Sequence, residues 1–398
     1  MADDTTLVID RTSQLLDELD PRTTSVEDFR ARQFELGLAW VSFPAGLGGL
    51  NLPPGLQREV DRRLDQAGAR PPGAREFFGL TMAGPTVVTH GSDEIRERLL
   101  RRTFTGEVSW CQLFSEPGSG SDLAGLSTRA VRDGDEWVIT GQKVWNTLAH
   151  IADRGMLVAR TDPDLPKHKG ITYFALDMHA PGVEVRPLRQ MTGEAEFNEV
   201  YLTEVRVPDA DRVGDEGEGW RVAMTTLSNE RTTIGGSSTA PGAGSGSIAE
   251  AVRIWQSEGH RQNSVDRDRL MRLWIESEAL RLTNLRASQN RKAGNPGAEG
   301  SIAKLMFAEV NKRVYELCID LLGADGLVGY DYTMHRSEGL GLVGPPGSAR
   351  RLFIRSRANS IEGGTSEIQR NILGERILGL PGDVRVDKEL PWSKVPRS

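Results

Sequence analysis

Cysteine is almost absent from this 398-residue chain, which carries only Cys111 and Cys318. They are far apart, with no CxxC or Cys/His spacing, so neither a disulfide framework nor a metal site is expected, and each reads as a small buried hydrophobe. Long apolar runs are missing too: no stretch approaches the roughly 20 residues needed to span a bilayer. The opening Met1-Ala2-Asp3-Asp4 lacks the basic start and apolar centre of a secretory signal, so the cytoplasm is the expected location and no membrane partner is foreseen. Clusters of Lys and Arg are lacking as well, and the net charge is −7, which argues against a nucleic-acid groove. No strand followed by GxGxxG opens a βαβ unit, so a nicotinamide dinucleotide site is not expected. Small-molecule chemistry remains, in a chain long enough for two or three domains.

The helical, strand and turn signals divide the chain into three. From Ser25 to about Gly106 helices alternate with Gly/Pro loops: Ser25 to Asp28 fits a capping box, residues 43–50 read as a loop, and another helix starts at Ser92. Between Trp110 and Val213 short β-prone runs appear, including 136–140, 170–176 and 200–202, and their spacing suggests a small antiparallel barrel or sandwich. Helical periodicity then returns over 220–234, 248–256, 266–290 and 301–322, the last with Met306, Val310, Val314, Leu317 and Leu321 on one face. Four long helices imply a bundle. The expected class is therefore α+β multidomain: a helical N-terminal domain (1–108), a middle antiparallel β-barrel domain (109–212) and a C-terminal four-helix bundle (213–398). The Gly/Ser-rich stretch 235–247 is expected to form a loop or a broken helix. A last helix is expected over 366–378, with Ser366 and Gln369 at capping-box spacing and Gly379 and Pro381 as stop signals.

Three features carry chemical interest. Glu230 falls in line with Ala223, Leu227 and Ile234 at helical spacing, a carboxylate set into an apolar stripe. Desolvation there would raise its pKa and suit it to removing a weakly acidic C–H proton, whereas a Glu at the margin would lean to solvent or pair with Arg231. The run SEPGSGSD at 115–122 exposes amides, hydroxyls and carboxylates suited to a polar ring or a phosphate, although a solvent loop would look similar. In GQKVWNT at 141–147, Trp145 and Thr147 would share one side of an extended segment and could face a heteroaromatic cofactor, or simply core. Gly363 and Gly364, just ahead of the last helix, leave backbone N–H groups open to close approach, or make a tight turn.

Together these segments resemble the acyl-CoA dehydrogenase family. The resemblance runs from about Gly91 to Pro381 and rests on SEPGSGSD at 115–122, ITGQKVWNT at 139–147, RVGDEGEGW at 212–220 and GGTSEIQRNILGERILGLP at 363–381. It implies the same three-part fold, FAD as cofactor, and α,β-dehydrogenation of an acyl-CoA thioester to a trans-2-enoyl-CoA, with electrons passing to an electron-transfer flavoprotein. Ser115 and Thr147 match positions that hydrogen-bond the flavin ring, Trp145 the aromatic packed against it, and Ser121 a residue near the CoA pantetheine and phosphates. The glycine pair with Thr365 matches the segment that meets cofactor and thioester.

The chain also departs from the family pattern. Where many members place the catalytic Glu directly before Gly-Thr-Ser-Glu, this chain has Gly363, with Glu362 one position earlier, near the implied acyl pocket. In another branch the base comes from the first bundle helix, before an Arg, and Glu230-Arg231 matches that position. Glu230 is thus the expected base, with Arg231 and Glu362 expected near the substrate. The Arg-x-x-Phe-Gly segment through which a neighbouring subunit grips FAD is replaced by residues 259–264, and 320–326 lacks the usual Gln-rich, double-glycine form. Homo-oligomer and hetero-oligomer with a related subunit therefore both stay open, as do a silent subunit and an oxygen-using oxidase or monooxygenase of the same fold.

Overall fold

The computed structural model describes residues 2–237, 243–257, 263–292, 297–329, 333–339, 348–384 and 386–396, with the side chains of 2, 230–237, 291 and 292 outside that description. The chain divides into two compact units, one made of Met1–Leu188, Glu196–Thr226 and Asp387–Ser398, the other of Arg189–Ala195 and Leu227–Val386.

The first unit opens with helices α1 (Ala2–Glu18), α2 (Val26–Glu35), α3 (Gln57–Gln66), α4 (Ala74–Phe78), α5 (Gly84–His90) and α6 (Asp93–Thr105). Two begin where the sequence signals place them. The Ser25 hydroxyl accepts from the Asp28 amide at 3.1 Å and that of Ser92 from the Ile95 amide at 3.3 Å, satisfying N–H groups that a helix start leaves open. Helix α1 has no such signal and lies ahead of the region read as helical. It is held by Val8 and Leu15, two turns apart on one face, which join the buried cluster of Phe29, Leu38 and Val60.

Seven strands follow: β1 (Trp110–Leu113), β2 (Arg129–Asp133), β3 (Glu136–Lys143), β4 (Arg154–Arg160), β5 (Ile171–Asp177), β6 (Val183–Pro187) and β7 (Asn198–Pro208). They form one curled sheet in the order β1-β4-β2-β3-β7-β6, with β5 also on β4. Most pairs are antiparallel, as expected, but β1 runs parallel to β4, and β2 meets β4 in parallel at Arg129 and Arg160. Parallel neighbours need a long connection, and the β2–β3 hairpin lies within the one between β1 and β4. Leu113, Trp137, Ile139, Leu157, Phe174 and Val205 pack into one buried core together with Cys111.

Helix α7 (Gly219–Ser237) passes from the first unit into the second, which continues with α8 (Ser247–Ser257), α9 (Ser264–Lys292), α10 (Glu299–Leu322), α11 (Ala349–Arg355) and α12 (Ser366–Asn371). Helices α8, α9 and α10 share a core that includes Ile254, Leu273, Val314 and Cys318. On α10 the expected apolar face is buried at Val310, Val314, Leu317 and Leu321, while Met306 is half-buried and Lys304 and Asn311 are buried polar residues. The last helix differs in detail from expectation. Its cap is Thr365, whose hydroxyl accepts from the Ile368 amide at 3.2 Å; Ser366 turns to Glu309, and from Ile372 to Ile377 the helix widens into a π turn. Both cysteines are buried, as the sequence suggests, and burial pushes the Cys318 thiol up to about 12. Of the stretch 235–247, residues 238–242 lie outside the described residues, and α7 continues through Ser237. Among the described residues no helix is long and apolar enough to cross a membrane.

What fixes the loop 115–126 to the sheet is a buried ion pair. Lys143, at the end of β3, donates to Glu116 Oε1 at 2.9 Å and to the Phe114 carbonyl at 3.0 Å. Glu116 also accepts from the Ser127 amide and hydroxyl at 2.7 and 2.9 Å and from the Thr128 amide at 2.9 Å. Gly141 allows the close approach: a Cβ there would lie 2.7 Å from the Thr128 Cα. Burial alone would raise the Glu116 pKa and lower that of Lys143, but the lysine charge and these hydrogen bonds hold the carboxyl at about 2. Because this folded value lies below the unfolded one, the clamp's stabilisation is complete above about pH 4.5 and is lost as pH falls towards 2. Glu116→Gln should cost roughly 3–5 kcal/mol in urea denaturation at neutral pH, by stranding a buried ammonium. The double variant Glu116→Gln/Lys143→Met should recover part of that loss, and a double variant less stable than the single would contradict the electrostatic account.

Candidate active site

On the first unit the two polar motifs meet at the end of β3. The Val144 amide donates to the Ser115 carbonyl at 2.9 Å, so SEPGSGSD and the segment 144–147 lie side by side. Trp145 does not share an extended segment with Thr147, as the spacing suggested. Strand β3 ends at Lys143, and Trp145 takes φ 62°, followed by Leu148 at φ 56°. A left-handed backbone costs a residue with a Cβ about 1–2 kcal/mol, so this turn must be held by its surroundings. Asn146 and Asn198 exchange backbone hydrogen bonds at 3.0 and 3.1 Å. The Asn146 side chain donates to the Gln112 carbonyl at 2.8 Å, the Asn198 side chain to the Asn146 carbonyl at 3.0 Å, and the Leu148 amide to the Glu196 carbonyl at 2.8 Å.

The outcome is an indole that is 58% exposed and meets the Phe197 ring nearly at right angles, at 5.8 Å between ring centroids. Beside it, the hydroxyls of Ser115 and Thr147 are half-buried and have no partner among the described residues. Further along the loop Gly118, Gly120 and Ser121 are exposed, and a Cβ on either glycine would meet nothing within 4 Å. Space that the protein leaves open here suits close approach by a ligand. An exposed aromatic wall with two unengaged hydroxyls beside it fits a flat heteroaromatic ring with a polar edge, the shape of a flavin.

In the second unit, the turn ahead of α12 has Gly363 at φ 63° and Gly364 at φ 90°. Their carbonyls are drawn inward: Gln369 donates to Gly363 at 3.2 Å, and the buried Lys304 to Gly364 at 2.5 Å and to Asn359 at 2.9 Å. The N–H groups of the two glycines have no acceptor among the described residues, so they remain able to bind an oxygen. Thr365 is occupied as the cap of α12. Glu362 is engaged differently from a free base: Arg355, only 6% exposed, grips both its oxygens at 3.2 and 2.9 Å, and Asn359 donates to one at 2.8 Å.

Glu230 and Arg231 lie on α7, and their side chains fall outside the described residues. One turn before Glu230, Thr226 is fully buried, its hydroxyl 2.9 Å from that of Thr86 and 3.2 Å from that of Tyr173. Of the replaced cofactor segment at 259–264, residues 259–262 lie outside the described residues. The other departure, 320–326, is used within the unit: Asp320 pairs with Arg269 at 2.7 Å, and Arg350 donates to the Asp325 carbonyl at 2.6 Å. Sequence reasoning missed Lys143, Asn146, Asn198, Lys304, Arg355 and Asn359. The signal for the first two was a lysine and an asparagine inside a β-prone run; for the others the partners are distant in sequence or ordinary in type.

Comparison with known proteins places these features in a family. The acyl-CoA dehydrogenase middle-domain model matches residues 111–205 and the acyl-CoA dehydrogenase C-terminal-domain model residues 217–378. The chain is 41% identical over 349 residues to acyl-CoA dehydrogenase FadE34 of Mycobacterium tuberculosis, covering 87% of this chain but 45% of that longer relative. With acyl-CoA dehydrogenase IpdE1 of the same organism it shares 36% identity over 352 residues, 88% of this chain and 86% of the relative. Among solved structures, a steroid acyl-CoA dehydrogenase, Tcur3481-Tcur3483, matches with a TM-score of 0.71 at 26% identity, over 96% of this chain and 99% of that one. The chain belongs to the acyl-CoA dehydrogenase family of FAD-dependent oxidoreductases.

Proposed function

We propose that this chain catalyses α,β-dehydrogenation of an acyl-CoA thioester to the trans-2-enoyl-CoA in the cytoplasm, with Glu230 as the base. The observation that carries this choice is the engagement of Glu362: both its oxygens are held by the buried Arg355 and one also by Asn359, so the carboxylate is committed to contacts within its own unit. Position 363, where many relatives keep the base, has no side chain, and Glu230-Arg231 on α7 matches the position from which another branch of the family supplies it. In this reading the Glu230 carboxylate takes the Cα proton while the Gly363 or Gly364 amide donates to the thioester oxygen as negative charge gathers there. FAD, when bound, supplies the acceptor for the Cβ hydride. Ser115 and Thr147 would hydrogen-bond the polar edge of its ring, and Trp145 would shield the ring face from water. Gly363, Gly364 and Thr365 complete the cofactor and thioester contacts of the bundle side, and Ser121 and Arg231 attend the CoA moiety. An electron-transfer flavoprotein would be the partner that accepts the electrons.

A second feature favours assembly with a related but unlike subunit. The segment through which a neighbour would grip FAD is missing from the sequence, and 320–326 is committed to contacts within its own unit. The structurally similar steroid enzyme, Tcur3481-Tcur3483, carries two component names, and we infer a comparable heteromer here. FAD absorbance per chain, measured alone and after co-expression with a related subunit, tests this: full occupancy in the chain alone would point to a self-sufficient homo-oligomer.

Anaerobic titration with short, branched, long and sterol-side-chain CoA thioesters tests the reaction itself, since flavin bleaching reports the transfer. Glu230→Gln should lower the rate about 10²- to 10⁴-fold while FAD and acyl-CoA binding persist. Glu362→Gln should instead cost roughly 1–3 kcal/mol of stability through the unpaired Arg355 and leave bleaching within about tenfold. The reverse pattern would transfer the role of base to Glu362. Oxygen uptake without an added acceptor would move the chain to the oxidase or monooxygenase reading. Trp145→Gly should change stability by less than about 1 kcal/mol, far below the usual 3–5 for loss of a core aromatic, because it relieves the left-handed backbone. The same variant should bind FAD more weakly in fluorescence titration.

A further inference from the structure

Residues 387–396 belong to the first unit and lie along the β4–β5 connection. The Trp392 amide donates to the Leu165 carbonyl at 2.9 Å and the Ser393 amide to that of Pro163 at 2.8 Å. This strap reaches the far half of the motif loop at two points. Trp392 Nε1 donates to the Gly125 carbonyl at 3.1 Å, and its ring lies 4.7 Å from the Arg160 guanidinium. Arg160, itself buried, donates to the carbonyls of Ala124, Leu126 and Lys167 at 2.6, 3.3 and 2.7 Å. At the other point, Lys167 Nζ is shared between Asp122 at 3.0 Å and Asp387 of the strap at 2.9 Å.

The near half of the loop is fixed by Glu116 and Lys143, but residues 122–126 form a short turn outside the sheet ladder. Their anchorage includes Arg160, over which the indole lies and which it screens from water on that side, strengthening the guanidinium's hydrogen bonds. The amides of Gly118, Gly120 and Ser121 have no acceptor among the described residues. Lys167 offsets the charge of Asp122, which would otherwise repel an anion at this loop, and Asp387 holds that lysine in place.

We propose that Trp392 is a positioning residue: through Gly125 and Arg160, with Asp387 acting through Lys167, the strap 387–396 holds the loop 118–126 in the shape that receives a nucleotide pyrophosphate. FAD and acyl-CoA both carry that group, and the proposal rests on the function proposed above. The test uses full-length Trp392→Ala, Trp392→Phe and Asp387→Asn. In Trp392→Ala, amide exchange over 118–126 should quicken at least about tenfold while β3 and β7 keep their protection, as expected for the loss of one hydrogen bond and one cation–π contact. Either the Kd for FAD on deflavinated protein or the KM for acyl-CoA at saturating FAD should rise by about tenfold, with kcat within about twofold; which constant moves identifies whose pyrophosphate the loop holds. Trp392→Phe keeps a ring over Arg160 and should fall between wild type and Trp392→Ala; Asp387→Asn should shift the same constant in the same direction. Unchanged exchange over 118–126 would overturn the proposal whether or not the chain turns over acyl-CoA. Faster exchange with both constants unchanged would remove the pyrophosphate role, and loss of protection across the whole sheet would reduce Trp392 to a merely structural residue. Absence of any FAD or acyl-CoA binding by the wild type would instead count against the parent reading, while the exchange result still decides whether the strap holds the loop.

Discussion

The hydrogen-bonded ion pair of Glu116 and Lys143 is the constraint on which the first unit's candidate site depends. Each charge is costly to bury, and the pair is tolerated because the carboxylate collects amide and hydroxyl donors from Ser127 and Thr128 while the ammonium also reaches the Phe114 carbonyl. The pair ties the two motif segments together in one step. Ser115 and the segment around Trp145 stay adjacent because the residues between them are anchored to the same two charges. An apolar pair of similar volume could fill the space, but it would not satisfy the Ser127 and Thr128 amides or orient the loop.

Backbone conformations that ordinary residues avoid occur beside this clamp and again ahead of α12. Trp145 and Leu148 are left-handed within four residues, and Gly363 and Gly364 are left-handed in succession. In the first case the reciprocal Asn146–Asn198 hydrogen bonds compensate the strain and present an indole to solvent, where an apolar ring gains little by itself. In the second, glycine removes the steric penalty, and Lys304 and Gln369 pull the carbonyls inward and leave the amides unengaged. Both arrangements are consistent with the ligand contacts proposed for them.

The bundle-side carboxylates illustrate how context divides identical groups. Glu362 neighbours the glycine turn in sequence, yet its hydrogen bonds with Arg355 and Asn359 make it part of the scaffold. Glu230 stands on a helix whose preceding turn is anchored by the buried hydroxyls of Thr86, Tyr173 and Thr226. The contacts of Glu362 are the observation on which the proposal of Glu230 as base rests.

Much of the architecture was legible in the amino-acid order because it rests on local physics. Capping serines at 25 and 92, alternation in the β-prone runs and the apolar face of α10 all act over a few residues, and they led to the helical, β and bundle regions; Ser115, Trp145, Thr147 and the glycine pair drew their proposed roles from the family resemblance. Helix α1 escaped because its signal is only Val8 and Leu15 meeting partners further along the chain. The parallel β1–β4 pairing, the left-handed turn at Trp145, the shift of the cap from Ser366 to Thr365, the capture of Glu362 by Arg355 and the return of Trp392 to Gly125 were decided by tertiary structure alone. Each depends on a contact between groups whose meeting no local periodicity encodes, and on a balance of desolvation, strain and hydrogen bonding that exists only once the chain has folded.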